Sequence, residues 1–241
     1  LHAAADNIVK PAMELGGNAP FIVCKDANIE AAADGLMVAK MRNLGEACTA
    51  ANRIYVHESV EKDFVGAFSK KMAALKIGNG IDKTVDVGPL VNAETRDKVD
   101  YFVQDAIAKG AKLEVGGVRP DGPGFFYPPT VLSNVSDDAE CLADEIFGPV
   151  AAIQTFVDED EIIERSNSTE YGLVAYLYTE DVRKGLRLSE KLEFGMIGLN
   201  RGLVSDPAAP FGGVKQSGLG REGGKEGLLE FQETQYISTE W

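Results

Sequence analysis

The sequence predicts an α/β fold, a mostly parallel sheet flanked by helices and followed by a C-terminal extended arm. Short continuous apolar runs, the pattern of strands buried on both faces, recur along the chain. Between them, apolar residues fall at the helical spacing of about 3.6. With 44% hydrophobic and 26% charged residues over 241 positions, the chain has a globular composition and enough interior for a core, which excludes disordered and fibrous classes.

The first strand is Ala19-Pro20-Phe21-Ile22-Val23-Cys24, after a Gly-Gly pair. Ile29, Ala33, Leu36, Met37, Met41 and Leu44 then lie on one helical stripe. Arg53-Ile54-Tyr55-Val56-His57 alternates like a strand, and Ser59 is placed to cap a helix with the stripe Val60, Phe64, Ala67, Phe68 and Leu75, closed by Gly78. Residues 79–92 lack periodicity and read as a loop. Val99, Phe102, Val103, Ala106 and Ile107 mark a further helix ending at Gly110, ahead of a short strand at 113–115. Glycine and proline make 116–129 irregular. Strands are expected at 127–135 and 150–157, a helix capped by Asp158 with Glu161, a strand at 173–179, a helix at 182–192 and a strand at 196–200. After a glycine-rich stretch, 228–238 reads as an extended segment: either an edge strand of the same sheet or an arm that adds to another subunit.

The formal charge of −14 repels phosphate backbones and anionic lipid, so neither nucleic acid nor membrane is an expected partner. No run approaches the roughly 18 apolar residues of a membrane span, and three dispersed cysteines fit a reducing cytoplasm better than a disulfide framework. No His-Glu-x-x-His or paired-cysteine knuckle is present, so no metal site is expected. His2 and His57 sit in no motif that supports a catalytic triad. Gly218-Leu219-Gly220-Arg221-Glu222-Gly223 spells a dinucleotide fingerprint, but no strand leads into it and 18 residues remain after it, so it is read as a chance match.

Cys48 follows a glycine at the end of the first long helix, on a turn rather than within a packed stripe. It is a candidate nucleophile, although isolated cysteines commonly act as small buried hydrophobes. Glu14, in Met13-Glu14-Leu15-Gly16-Gly17-Asn18, is either a solvated edge residue or a base in an apolar setting that raises its pKa.

These two motifs, with Glu145-Ile146-Phe147-Gly148-Pro149 and Pro210-Phe211-Gly212-Gly213, occur in an order that strongly resembles the aldehyde dehydrogenase superfamily, in particular its branch acting on succinate semialdehyde. The resemblance runs the whole length of the chain and corresponds to the C-terminal half of such an enzyme. It implies residues 1–16 as the end of a nucleotide-binding domain, 17–222 as the catalytic domain and 223–241 as an oligomerisation arm of a dimer or tetramer. It further implies Cys48 as the nucleophile that forms a thiohemiacetal and then a thioester, and Glu14 as the base that activates hydrolytic water. Glu145 and Phe147 would hold the nicotinamide ribose and ring of NAD or NADP, and Phe211 would wall the aldehyde tunnel. Arg42, six residues before Cys48, would pair the far carboxylate of the semialdehyde with help from Ser205, as a guanidinium fits a carboxylate in shape and charge.

The chain departs from the family at Glu46-Ala47, where Gln-Thr is usual; a carboxylate aimed at the thiol would disfavour the thiolate. Ala50 stands where some relatives carry a second, redox-active cysteine. The nucleotide-binding half, an assisting Asn and a second substrate arginine are expected outside this chain, which by itself is expected to be inactive. An inert module that self-associates and a glutarate-semialdehyde dehydrogenase are the alternative readings.

Overall fold

A computed structural model describes residues 1–241. In chain order the elements are α1 (His2–Ala5), β1 (Met13–Glu14), β2 (Ala19–Val23), α2 (Ile29–Met41), β3 (Ala51–His57), α3 (Glu61–Ala73), α4 (Ala93–Ala108), β4 (Lys112–Val115) and β5 (Thr130–Ser133). There follow α5 (Glu140–Ala143), β6 (Val150–Phe156), α6 (Glu159–Asn167), β7 (Val174–Tyr178), α7 (Val182–Lys191), β8 (Met196–Leu199), β9 (Gly218–Leu219) and α8 (Gly224–Leu229). Seven strands form one sheet in the order β4-β5-β6-β3-β2-β7-β8, parallel throughout except for β4 against β5. This is the mostly parallel, helix-flanked sheet that the alternating patterns predict.

Alternation along each strand fills both faces. Phe21 and Val23 of β2 pack with Ala32, Ala33 and Leu36 of α2 and with Phe64 and Phe68 of α3, whereas Ile22 meets Ile162 and Ile163 of α6 and Leu188 of α7. On β6, Ala151 and Ile153 take the first face, while Val150 and Ala152 pack with Val99, Phe102 and Val103 of α4. Side chains cap four of the eight α-helices: Asn28 accepts from the Ala31 N–H, Asn92 from Thr95, Asp158 from Asp160 and Glu161, and Asp181 from Arg183 and Lys184.

Some local expectations change. The first long helix ends at Met41 rather than running to Leu44, because Asn43 and Leu44 adopt left-handed backbone with φ of 50° and 59°. Ser59 does not cap α3; its hydroxyl is engaged by His57 Nδ1 at 2.8 Å, a single 3₁₀ turn intervenes, and α3 ends at Ala73, short of Gly78. The terminal segment is not a strand from 228: Gly224–Leu229 is helical, and residues 230–241 pair with no strand of the chain. The GxGxxG match contributes Gly218–Leu219 to an antiparallel ribbon with Met13–Glu14, so it lies in no βαβ unit.

Connections that lead into parallel strands converge on one edge of the sheet. Gly16 and Gly17 precede β2, Cys48 precedes β3, Gly148 precedes β6 and Gly172 precedes β7. The buried Ser217 hydroxyl stitches two of them, donating to the Gly16 carbonyl at 2.8 Å and accepting from the Gly172 N–H at 2.9 Å. No helix is long and apolar enough to cross a membrane.

Candidate active site

The turn after α2 places Cys48. Gly45, at φ +77°, lies so close to the Gly148 carbonyl that a Cβ there would stand 2.3 Å from its oxygen. A Cβ on Gly17 would stand 2.4 Å from the Cys48 carbonyl oxygen. Glycine is therefore required at both positions, and the cysteine loop is seated between the Gly16-Gly17 turn and the loop before β6. Thr49 secures its far side: its carbonyl accepts from the buried Tyr176 hydroxyl at 2.8 Å, and its hydroxyl accepts from Arg42 at 3.2 Å.

Glu14 reaches this seat from the β1 ribbon, and its carboxyl meets the Cys48 thiol. The half-buried thiol is pushed up to about 11, by burial first and then by the negative charge of Glu14, its hydrogen bond to Glu14, and Glu145. The Cys48 backbone N–H works in the opposite sense. Glu14 is exposed by surface area, yet the protein on one side of its carboxyl raises its pKa by desolvation; the Cys48 thiol, donating a hydrogen bond, lowers it, and Glu222 raises it. Sulfur and carboxyl, distant in sequence, thus share one site.

Glu145 is the third member. Its Oε1 accepts from the Gly17 N–H at 3.1 Å, while Oε2 lies over Gly16 and accepts no hydrogen bond from the chain. Burial raises its pKa, and the Gly17 N–H and Lys98 offset this. Lys98 also donates to the Glu145 carbonyl at 2.8 Å, and Phe147, two residues on, is held at φ +54°, a conformation a bulky side chain adopts only when its surroundings impose it. A partly buried carboxylate with one free oxygen at the rim of a thiol site is a suitable acceptor for a sugar hydroxyl, so these residues fit a nucleotide cofactor.

Glu14 also lines a cleft of about 50 Å³ together with Phe211, Arg221 and Glu222; Cys48 touches Glu14 without lining it. Phe211 and Glu222 are bridged by reciprocal backbone hydrogen bonds of 2.7 Å. Arg42 is exposed but tied to the residue after Cys48. Ser205 is exposed in the loop after β8 and makes no hydrogen bond, although its neighbour Val204 packs on the same core as Met41, Cys48 and Phe211. The structure therefore brings Cys48, Glu14, Glu145 and Phe211 together, puts Arg42 at the margin, and leaves Ser205 on the adjacent loop. Glu46 turns away from the thiol: its Oε1 accepts from the Val91 N–H at 3.0 Å, and it is not among the groups that shift Cys48.

Sequence reasoning missed three contributors. Glu222 was hidden in the glycine-rich tail and becomes significant only once β1 and β9 pair. Lys98 reads as a polar-face residue of α4. Lys40, within the α2 stripe region, is fully buried, with Nζ donating to Asn52 Oδ1 at 2.9 Å, and burial brings its pKa down to about 7.

The aldehyde dehydrogenase family model matches residues 1–237. The chain is 53% identical over 234 residues to a succinate-semialdehyde dehydrogenase of Paenarthrobacter nicotinovorans, covering 97% of this chain and 52% of the relative. It is 46% identical over 233 residues to a glutarate-semialdehyde dehydrogenase of Pseudomonas aeruginosa, covering 97% and 48%. Among solved structures, the NAD+ complex of an aldehyde dehydrogenase from Bacillus cereus superposes with a TM-score of 0.92 at 36% identity, covering 96% of this chain and 47% of the other. The chain spans about half the length of the curated relatives it matches.

Proposed function

Because the chain belongs to the aldehyde dehydrogenase family, we propose that it supplies the catalytic part of an enzyme that oxidises succinate semialdehyde to succinate with NAD or NADP. The observation that carries the reading is the meeting of the Cys48 thiol with the Glu14 carboxyl. In this reading the Cys48 thiol gives its proton to solvent, the sulfur forms a bond to the aldehyde carbon, and the carbonyl electron pair moves to oxygen. The Cys48 backbone N–H is the donor this chain offers to that oxyanion. When bound, a nicotinamide supplies the acceptor for the hydride released as the carbonyl re-forms as a thioester; Glu145 and Phe147 are the residues that would hold it. Glu14 takes a proton from water, the hydroxide adds to the thioester, and the C–S bond breaks to release the acid and the thiolate.

Substrate choice is assigned to Arg42, whose guanidinium stands beside Thr49, with Ser205 assisting from the neighbouring loop. The kinship to a succinate-semialdehyde dehydrogenase favours the four-carbon substrate; the five-carbon homologue differs by one methylene, a discrimination of about 1–3 kcal/mol. The test is Arg42→Ala in the full-length protein. KM for succinate semialdehyde is expected to rise by about two orders of magnitude, the scale of a lost charged hydrogen bond, with KM for propanal unchanged. Equal effects on both aldehydes would remove Arg42 from the substrate site.

Self-association is part of the same proposal. β8 is an open edge of the sheet, and Phe231, Tyr236, Ile237 and Trp241 are exposed along the unpaired tail, a segment suited to adding as a strand to a second copy.

A further inference from the structure

The loop that carries Ser205 is seated by packing alone. It leaves β8 at Asn200, which adopts left-handed backbone and is pinned to β7: its Oδ1 accepts from the Thr179 N–H at 3.0 Å and its Nδ2 donates to the Thr179 carbonyl at 2.9 Å. From Arg201 to Ser205 no hydrogen bond joins the loop to the rest of the chain. What holds it is backbone contact with α2. A Cβ on Gly202 would stand 2.0 Å from the Gly35 carbonyl oxygen and 3.0 Å from the Gly35 Cα. Gly35 is itself confined, since a Cβ there would stand 1.7 Å from the Tyr178 hydroxyl, whose ring stacks on Phe21 at 5.0 Å. On its other side the loop folds back on Gly198, with the Arg201 carbonyl 2.7 Å and a Val204 methyl 3.2 Å from the position a Cβ would take.

The same helix that receives the loop ends at Met41, and Arg42 is the residue that caps its C-terminus. Seven residues separate Gly35 from Arg42, about two helical turns or some 10 Å of rise. One rigid element therefore carries the seat of the serine loop and sets where the arginine at its end begins. We propose that the Gly202–Gly35 contact is a specificity-positioning seat: it fixes how far Ser205 stands from Arg42, and so the length of the carboxylate-ended aldehyde that fits between the nucleophile and its anchors. The inference rests on the assignment of Arg42 and Ser205 made above. Gly35 and Gly202 are positioning residues that act through the serine loop and touch no substrate.

The test is Gly202→Ala in the full-length protein, assayed with succinate semialdehyde, glutarate semialdehyde and propanal, with alkylation of Cys48 followed in parallel. The added methyl has no room against the Gly35 carbonyl and must lift the loop. The expected result is a rise of about tenfold in KM for succinate semialdehyde and a change in the succinate-to-glutarate preference. Turnover of propanal and the alkylation rate should stay within about twofold. Val204→Ala, which loosens the loop without inserting an atom, should move the preference in the same direction and decides the matter if Gly202→Ala does not fold. Unchanged preference in the folded variants, or a fall shared equally by propanal, would overturn the seat. A wild-type protein that takes propanal as readily as succinate semialdehyde would instead contradict the substrate assignment itself, and the seat with it.

Discussion

Cys48 shows how burial, and after it neighbouring charge, governs a proposed nucleophile. A thiol pushed up to about 11 by burial and by two carboxylates is almost wholly protonated at neutral pH, so its alkylation rate should climb close to tenfold per pH unit between 7 and 9. Glu14→Gln removes the nearer charge and should accelerate alkylation several-fold at pH 7.5; mass spectrometry of iodoacetamide-treated protein reads both effects, and no acceleration would mean that the carboxyl does not face the sulfur. Lys40 gives a residue-scale stability prediction. Burial depresses its pKa from 10.5 to about 7, so between those values the unfolded chain binds more protons than the folded one, and stability rises with pH across that window by at most about 1.4 kcal/mol per unit. Denaturant unfolding of wild type and Lys40→Met at pH 7.5 and 9 isolates the contribution, since other titrating groups are common to both. The difference should shift in favour of wild type at the higher pH, and a constant difference would show that the ammonium stays charged inside.

At the scale of elements, the turn between α2 and β3 does the positioning. Three consecutive residues, Asn43, Leu44 and Gly45, take left-handed backbone, which costs about 1 kcal/mol or more at each non-glycine position and is held by the packing of Gly45 on Gly148. Gly45→Ala should therefore destabilise by about 2 kcal/mol or more and lower thioester formation, whereas Gly66→Ala, on the open face of α3 with nothing within 4 Å, should be neutral or slightly stabilising; thermal unfolding of the two variants checks this. Helical periodicity misread this turn, because Leu44 falls on the apolar stripe and no local signal requires left-handed conformation of Asn43 or Leu44. The stop at Met41 is a tertiary decision. Ser59 failed as a cap for a similar reason: His57, two residues earlier, competes for the hydroxyl.

For the whole molecule, most strands and helices were legible because each strand is a continuous apolar run and each helix a stripe, and both patterns arise from a sheet buried on two faces. Less legible was which end of the sheet would do the chemistry. Open α/β sheets commonly bind ligands beyond the carboxyl ends of their strands. Here Gly17, Cys48 and Gly148 all precede strands and gather at the amino edge. Cys48, Glu14, Glu145 and Phe211 were nameable because the motifs around them resemble a family; their convergence depends on pairing β1 with β9, across most of the chain, which no local pattern announces. The tail was half legible. Its apolar residues are present but pack on nothing in one copy, so deletion of 231–241 should leave Tm within about 2 °C while reducing self-association in sedimentation velocity; a large drop in Tm would mean that the tail folds back on its own chain.

The most direct measurement is a search for the acyl-enzyme in Glu14→Gln full-length protein mixed with succinate semialdehyde and cofactor. If Cys48 attacks and Glu14 hydrolyses, a burst of reduced cofactor should be followed by arrest, with a succinyl group on the Cys48 peptide. Steady turnover without an adduct, or an adduct on a different residue, would contradict that division of labour.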